Sequence, residues 1–257
     1  MLIVLSPAKK LDESPRPEQV PWTLPELQSD IERLAAKAKT LSSKRLQKLM
    51  GISENLATLN HQRFQEFSVP FGPGNSKQAI FSFAGDTYVG FDVARLQPED
   101  LEFAQERVAI LSGLYGILRP LDLMQPYRLE MGTGLRTRRG PNLYSFWGKR
   151  IGQRAAELLA GHSDSSLVNL ASNEYFKAIP PATLPGPVIT PVFREQKDGK
   201  TRMLMFYAKR ARGSMARWAV QQRLDRPEGL KDFDEGGYRF QPGESDDSRW
   251  VFERPQP

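Results

Sequence analysis

The chain has 257 residues, 39% of them apolar and 10% aromatic, enough to bury a sizeable core and too apolar for a disordered tail. It has no Cys and only two His, which excludes disulfides, thiolate metal sites, iron–sulfur ligation, thiol peroxidase chemistry and multi-His metal centres. The net charge of +6 and pI near 9.5 are unevenly distributed. Residues 128–154 carry seven basic side chains against one acid, residues 194–226 carry ten against three, and residues 228–257 carry four against eight. A one-sided positive surface of this kind attracts polyanions, nucleic acid above all.

The first five residues after Met1 begin with a continuous apolar run, residues 2–5, which reads as a buried strand and not as a secretory leader, so the cytoplasm is the expected compartment. Four prolines between residues 12 and 25 predict an extended surface loop, with Pro25 opening a helix. Leu27, Ile31, Leu34, Ala35 and Ala38 recur at helical spacing through residue 39, and two further helices are expected over residues 44–50 and about 54–67. Residues 79–83 read as a strand. A helix is expected to open at Pro98 and end near residue 105, followed by a buried strand at 108–111 and a turn-rich segment closing on Pro120. Arg128 and Glu130 alternate as on a strand, where they pair with each other or project into one cleft. A basic loop spans 132–142, a helix 146–159, and a short buried strand 167–170. Residues 188–193 and 203–208 flank Asp198-Gly199 as a hairpin, and residues 211–224 form a helix with Ala211, Met215, Trp218 and Gln222 on one face and Arg210 and Arg217 on another. Residues 250–252 are a last strand. Strands and helices in no strict alternation, with no internal repeat or linker, predict one mixed α/β (α+β) domain over residues 1–257, with a central mixed sheet and surrounding helices.

Two segments point to phosphate binding. Residues 44–66 contain two short amphipathic helices joined at Gly51-Ile52-Ser53, with Ala57 where the helices cross; the pattern resembles a helix-hairpin-helix DNA-binding element. A tight turn before a helix N-terminus directs free backbone N–H groups at a phosphate without base preference, and Lys44, Arg45 and Lys48 add charge beside it. The second segment, Tyr207 to Ser214, clusters Lys209, Arg210 and Arg212 at an expected strand-to-helix junction. Lys9 and Lys10 follow the first strand and line a basic cleft in this reading. Ser6-Pro-Ala-Lys9 also fits the Ser-x-x-Lys pattern of penicillin-recognising hydrolases, but the supporting Lys-Thr-Gly element is missing. No Walker loop or dinucleotide fingerprint is present.

Six blocks together carry a family resemblance: Ser6-Pro-Ala-Lys9, residues 111–122, Pro126-Tyr-Arg-Leu-Glu-Met-Gly132, Asn142-Leu-Tyr-Ser-Phe-Trp-Gly148, Asn169-Leu-Ala-Ser-Asn-Glu-Tyr-Phe176 and Ala208-Lys-Arg-Ala-Arg-Gly213. They resemble the bacterial YaaA family of peroxide-stress resistance proteins over nearly the whole chain. The resemblance implies protection against hydrogen peroxide, limited free intracellular iron, and DNA binding through a helix-hairpin-helix and a positively charged cleft, with no established reaction. The expectations that follow are a sequence-tolerant DNA partner, no cofactor, no metal, no membrane, and a monomer in the absence of DNA. The hairpin residues are Lys44, Arg45, Lys48, Gly51, Ile52 and Ser53; the cleft candidates are Lys9, Lys10, Arg128, Lys209, Arg210 and Arg212. A different class remains open: an enzyme acting on a nucleotide or nucleic acid, in a polar pocket around Lys9, Glu130, Asn169, Asn173, Glu174, Lys209 and Arg212. Direct iron sequestration finds no ligand spacing.

Overall fold

A computed structural model describes residues 1–257. The first half contains β1 (Leu2–Leu5), α1 (Gln28–Lys39), α2 (Ser43–Met50), α3 (Glu54–Glu66), β2 (Lys77–Gln78), α4 (Ala79–Ser82), α5 (Asp86–Phe91), α6 (Pro98–Arg107), β3 (Val108–Ser112), β4 (Gly116–Leu118) and β5 (Leu123–Met124). The second half contains α7 (Leu143–Trp147), α8 (Arg150–Leu159), β6 (Leu167–Leu170), α9 (Asn173–Phe176), β7 (Val188–Lys197), β8 (Lys200–Arg202), α10 (Met205–Gln221), β9 (Arg239–Phe240) and β10 (Arg249–Pro255).

One eight-stranded sheet runs in the order β4-β3-β1-β6-β7-β10-β9, with β8 paired to β7. The five strands β3, β1, β6, β7 and β10 are mutually parallel; β4, β8 and β9 are antiparallel additions. The mixed sheet with surrounding helices is the architecture expected from the sequence. Strands β1, β3 and β6 are apolar on both faces because both faces are covered, and every residue of the three is buried. One contiguous hydrophobic core joins them to the helices.

Several elements depart from the sequence reading. Residues 79–82 fold as the helical turn α4 and Phe83 alone bridges to Leu11, because the Ala79 and Ile80 N–H groups donate to the Asp122 and Pro120 carbonyls (2.9 Å each); a short apolar run does not choose helix or strand by its own pattern. The helix expected at 146–159 is two helices, broken at Gly148 with φ +54. Arg128 and Glu130 lie on irregular chain, not on a strand. The Asp198-Gly199 hairpin is present, both residues having positive φ as its tight turn requires, but its second strand ends at Arg202 and α10 begins at Met205. Residues 203–208 are therefore mostly helix. Gly213 sits inside α10 at its crossing with α5.

That crossing is unusually close. A Cβ on Gly213 would overlap the Thr87 carbonyl oxygen and stand 2.6 Å from the Phe91 nitrogen, and one on Gly90 would overlap the Arg210 carbonyl. Arg217, buried rather than on an outer face, reaches from α10 to donate to the Gly90 carbonyl at 2.6 Å and pairs with Glu235 at 2.5 Å. The orientation of α10 also matters. The Met1 ammonium, at the amino end of β1, donates to the Asp225 carbonyl just beyond the end of α10 (2.9 Å), so α10 starts over the carboxyl ends of the parallel strands.

Candidate nucleic-acid interface

The α2–α3 hairpin follows from local chemistry. Ser42 caps α2 and Ser53 caps α3, each hydroxyl accepting from the N–H three residues on (3.4 Å). Gly51 ends α2 in the left-handed region (φ +61), and its N–H and that of Ile52 return to the Gln47 carbonyl. Leu46 and Ala57 are wholly buried, Ala57 being small enough for the two helices to lie close. Lys44, Arg45 and Lys48 are exposed, and none has a carboxylate within 4.0 Å. Ser53 consumes one orphan N–H of the α3 terminus, and Glu54 in the first turn places one negative charge beside it.

The second basic area lies at the carboxyl ends of β1, β3 and β6. Ser6 leaves β1 and its hydroxyl accepts the Ser172 N–H (2.8 Å), while the Tyr88 hydroxyl donates to the Ser6 carbonyl (2.9 Å). Gly113, leaving β3, packs on the Leu129–Glu130 backbone so closely that a Cβ has no room. Glu130 sits between Lys9 (2.7 Å) and Arg128 (3.1 Å), so two of the expected cleft cations share one carboxylate and the trio keeps a single net positive charge. Glu174 accepts the Gly132 N–H at 2.9 Å, tying the 126–132 segment to α9. Asn169 is buried and accepts the Ala171 N–H (3.0 Å), which makes it a strand-end brace. Asn173 begins α9 and is exposed.

Lys209, Arg210 and Arg212 occupy the first turns of α10 and not a strand-to-helix junction, but the direction of α10 brings them to the same end of the sheet as Lys9. Arg210 stacks on Phe206 at 4.9 Å. Arg212 is half-buried with no carboxylate or hydrogen-bond acceptor, and burial alone draws its pKa down. Lys10 is exposed beside an apolar groove containing Tyr88 and Phe91. Residues that sequence reasoning missed include Ser112 and Tyr127, whose hydroxyls meet at 2.5 Å, and Tyr175. Burial raises the phenols of Tyr127 and Tyr175 well above their ordinary range; for Tyr175 the neighbouring Tyr127, Glu174 and Glu130 add to it. No local spacing announced these groups; only their place inside the resembling blocks did.

The hairpin and the strand-end cluster are separate places. Arg63, near the end of α3, pairs with Glu13 in the loop after β1. The Gly51 turn lies at the opposite end of that 13-residue helix, about 20 Å away at 1.5 Å per residue. Five of the six resembling blocks meet at or beside the strand ends, and the sixth, 142–148, joins them where the Trp147 indole donates to the Gly113 carbonyl (3.0 Å) and the Tyr144 hydroxyl to the Glu174 carbonyl (2.9 Å).

Comparison with known proteins decides the family. The family model for peroxide stress protein YaaA matches residues 1–244. The chain belongs to the peroxide stress protein YaaA family. Similar relatives are UPF0246 proteins of Paraburkholderia phytofirmans, 51% identical over 256 residues (99% of this chain and 98% of the relative), and of Caulobacter vibrioides, 50% identical over 257 residues with both chains covered in full. A UPF0246 protein of Dechloromonas aromatica is 51% identical over 254 residues, 99% of each chain. YaaA membership supports a role in peroxide stress. No helix is long and apolar enough to cross a membrane.

Proposed function

We propose that this protein is a sequence-tolerant, monomeric DNA-binding protein of the peroxide response that holds duplex or branched DNA mainly by its phosphates. The observation that supports the reading is the set of cations left without carboxylate partners: Lys44, Arg45 and Lys48 at a glycine hairpin, and Lys209, Arg210 and Arg212 on the first turns of α10. Phosphate contacts fix a protein on DNA without reading sequence. Two separate basic areas suit a ligand that extends, with phosphates repeating along each strand roughly every 3.4 Å of axis. The exposed Phe206 beside Arg210 offers a face for an unstacked base. With no Cys, the chain cannot consume peroxide by thiol chemistry, so protection in this reading is indirect, and so is any effect on free iron.

The test is affinity against salt. The log–log slope should approach about −0.9 per phosphate contacted, and scrambling the duplex sequence should change little. Lys48→Glu should retain wild-type melting, weaken binding and flatten the slope by about one contact. Binding that ignores salt, or that demands one sequence, refutes the reading.

One observation favours an enzyme acting on a nucleotide as a second reading. Glu130, flanked by Lys9 and Arg128, lies at the carboxyl ends of parallel strands, the habitual place of a site in such sheets. A carboxylate there opposes phosphate binding. Glu130→Gln should therefore tighten DNA binding slightly if the cluster only holds phosphate. Unchanged DNA affinity together with loss of a nucleotide-dependent turnover favours the enzyme.

A further inference from the structure

One sizeable cavity belongs to neither basic area described so far. It is a space of about 670 Å³ between α1 and the 137–140 turn, lined by Arg33, Lys37, Arg138, Arg139 and the ring of Phe146. That volume is within the usual range for small-ligand sites. Its charge is unbalanced. Asp30 is the acid that compensates it, and Asp30 is shared between Arg139 (2.6 Å) and Arg150 (3.5 Å). Arg33, Lys37 and Arg138 have no carboxylate within 4.0 Å, and their side chains donate no hydrogen bond to the protein. Like charges converging on a concave wall raise the local positive potential, which repels each of them and attracts an anion.

The site is also built. Thr137 and Gly140 exchange backbone hydrogen bonds (2.9 and 3.3 Å) and the Arg139 N–H donates to the Thr137 hydroxyl (3.1 Å), so the turn that presents Arg138 is closed on itself. Arg33 and Lys37 are one helical turn apart on α1, so their heads reach neighbouring groups of one ligand. Phe146 is only 3% exposed, with Arg139 over its ring at 4.7 Å, so unlike the half-exposed Phe206 it leaves no open face for a base. The cavity thus offers cations without a stacking surface: it recognises phosphoryl groups and not nucleobases.

We infer that the α1–turn cavity is an anion site for a ligand carrying two or more adjacent phosphoryl groups. Two sources share this chemistry, a free polyphosphate and a run of DNA backbone. The site does not depend on the hairpin reading. The experiment is calorimetric titration of the full-length protein at low salt with sodium tripolyphosphate, without added metal. One saturable site is expected in the wild type. Arg33→Gln/Arg138→Gln should weaken it at least tenfold with an unchanged circular dichroism spectrum, and Lys44→Gln/Lys48→Gln should leave it within twofold. Arg139 is left intact because its pairing with Asp30 is structural; if the double variant melts early, Arg138→Gln alone, on the exposed turn, is expected to weaken binding severalfold. The absence of a saturable site, or binding that a folded double variant retains within twofold, overturns the inference. Competition with a labelled duplex identifies the source: displacement assigns the phosphates to DNA, independent binding assigns them to a free polyphosphate. A wild-type protein that binds tripolyphosphate and no duplex would refute the DNA reading while leaving this site standing.

Discussion

Gly213→Ala should be among the most damaging single-methyl additions in this chain. An added Cβ would overlap the Thr87 carbonyl oxygen and stand 2.6 Å from the Phe91 nitrogen and 2.8 Å from the Thr87 carbonyl carbon. All three are backbone atoms of α5, so no side-chain rotation relieves them; α5 and α10 must part by roughly an ångström or more for ordinary contact. Separation would lengthen the 2.6 Å bond from Arg217 to the Gly90 carbonyl and disturb Gly90, which has its own backbone contact with Arg210. Two effects compete. Replacing a mid-helix glycine by alanine gains about 1 kcal/mol of helix propensity. Overpacking costs about 1–3 kcal/mol even where side chains can give, and more where only backbone is in the way. The packing cost wins, and a net loss of at least about 2 kcal/mol is expected. Urea unfolding followed by far-ultraviolet circular dichroism measures it, with Gly152→Ala for comparison. There the added Cβ meets the Thr183 side chain on a short surface turn, which can shift at the loss of its hydroxyl's bond to Pro180, and not the backbone of a packed helix, so the cost should be smaller. A Gly213→Ala midpoint equal to wild type, or a larger loss for Gly152→Ala, would refute the reasoning.

Other substitutions probe the remaining devices. Arg217→Met should cost about 3 kcal/mol in the same unfolding assay, because it leaves the Gly90 carbonyl only the long 3.3 Å bond from the Ser214 hydroxyl and leaves Glu235 unpaired; the low end of the range applies since Glu235 is partly exposed. Gly51→Ala meets nothing within 4 Å, so its cost is left-handed backbone strain alone, about 1 kcal/mol, and a much larger loss would show that the turn packs on something. His162 titrates near 4, lowered first by burial and then by the Arg107 guanidinium and the N-terminal ammonium. The fold therefore binds fewer protons than the unfolded chain between about pH 6.5 and 4, and stability falls as pH drops through that window. With His162 half-exposed, screening reduces the loss to about 1 kcal/mol at pH 5. His162→Gln should remove it, so the stability difference between wild type and variant must change between about pH 7.5 and 5; a constant difference would contradict the assignment.

Local pattern was enough for part of this molecule. The buried strands β1, β3 and β6 were legible because strands covered on both faces are unbroken apolar runs, and the α2–α3 hairpin was legible because Gly51 and Ser53 act on the backbone within a few positions of themselves. The resembling blocks gave the family, and the pairing of Arg128 with Glu130 was among the alternatives read from their spacing. Other features depended on partners distant in the chain. Residues 79–82 became helical through bonds to Pro120 and Asp122, and 205–208 joined α10 just after Leu204, whose N–H Glu195 accepts at 3.1 Å. Lys9 pairs with Glu130, more than a hundred positions away, and Arg33 lines one cavity with Arg138 across a similar separation. Composition gave the excess of positive charge, but which cations are neutralised and which converge on a cavity depends on Coulomb interactions that fall with distance in space. Those distances exist only once the sheet has brought its strand ends together.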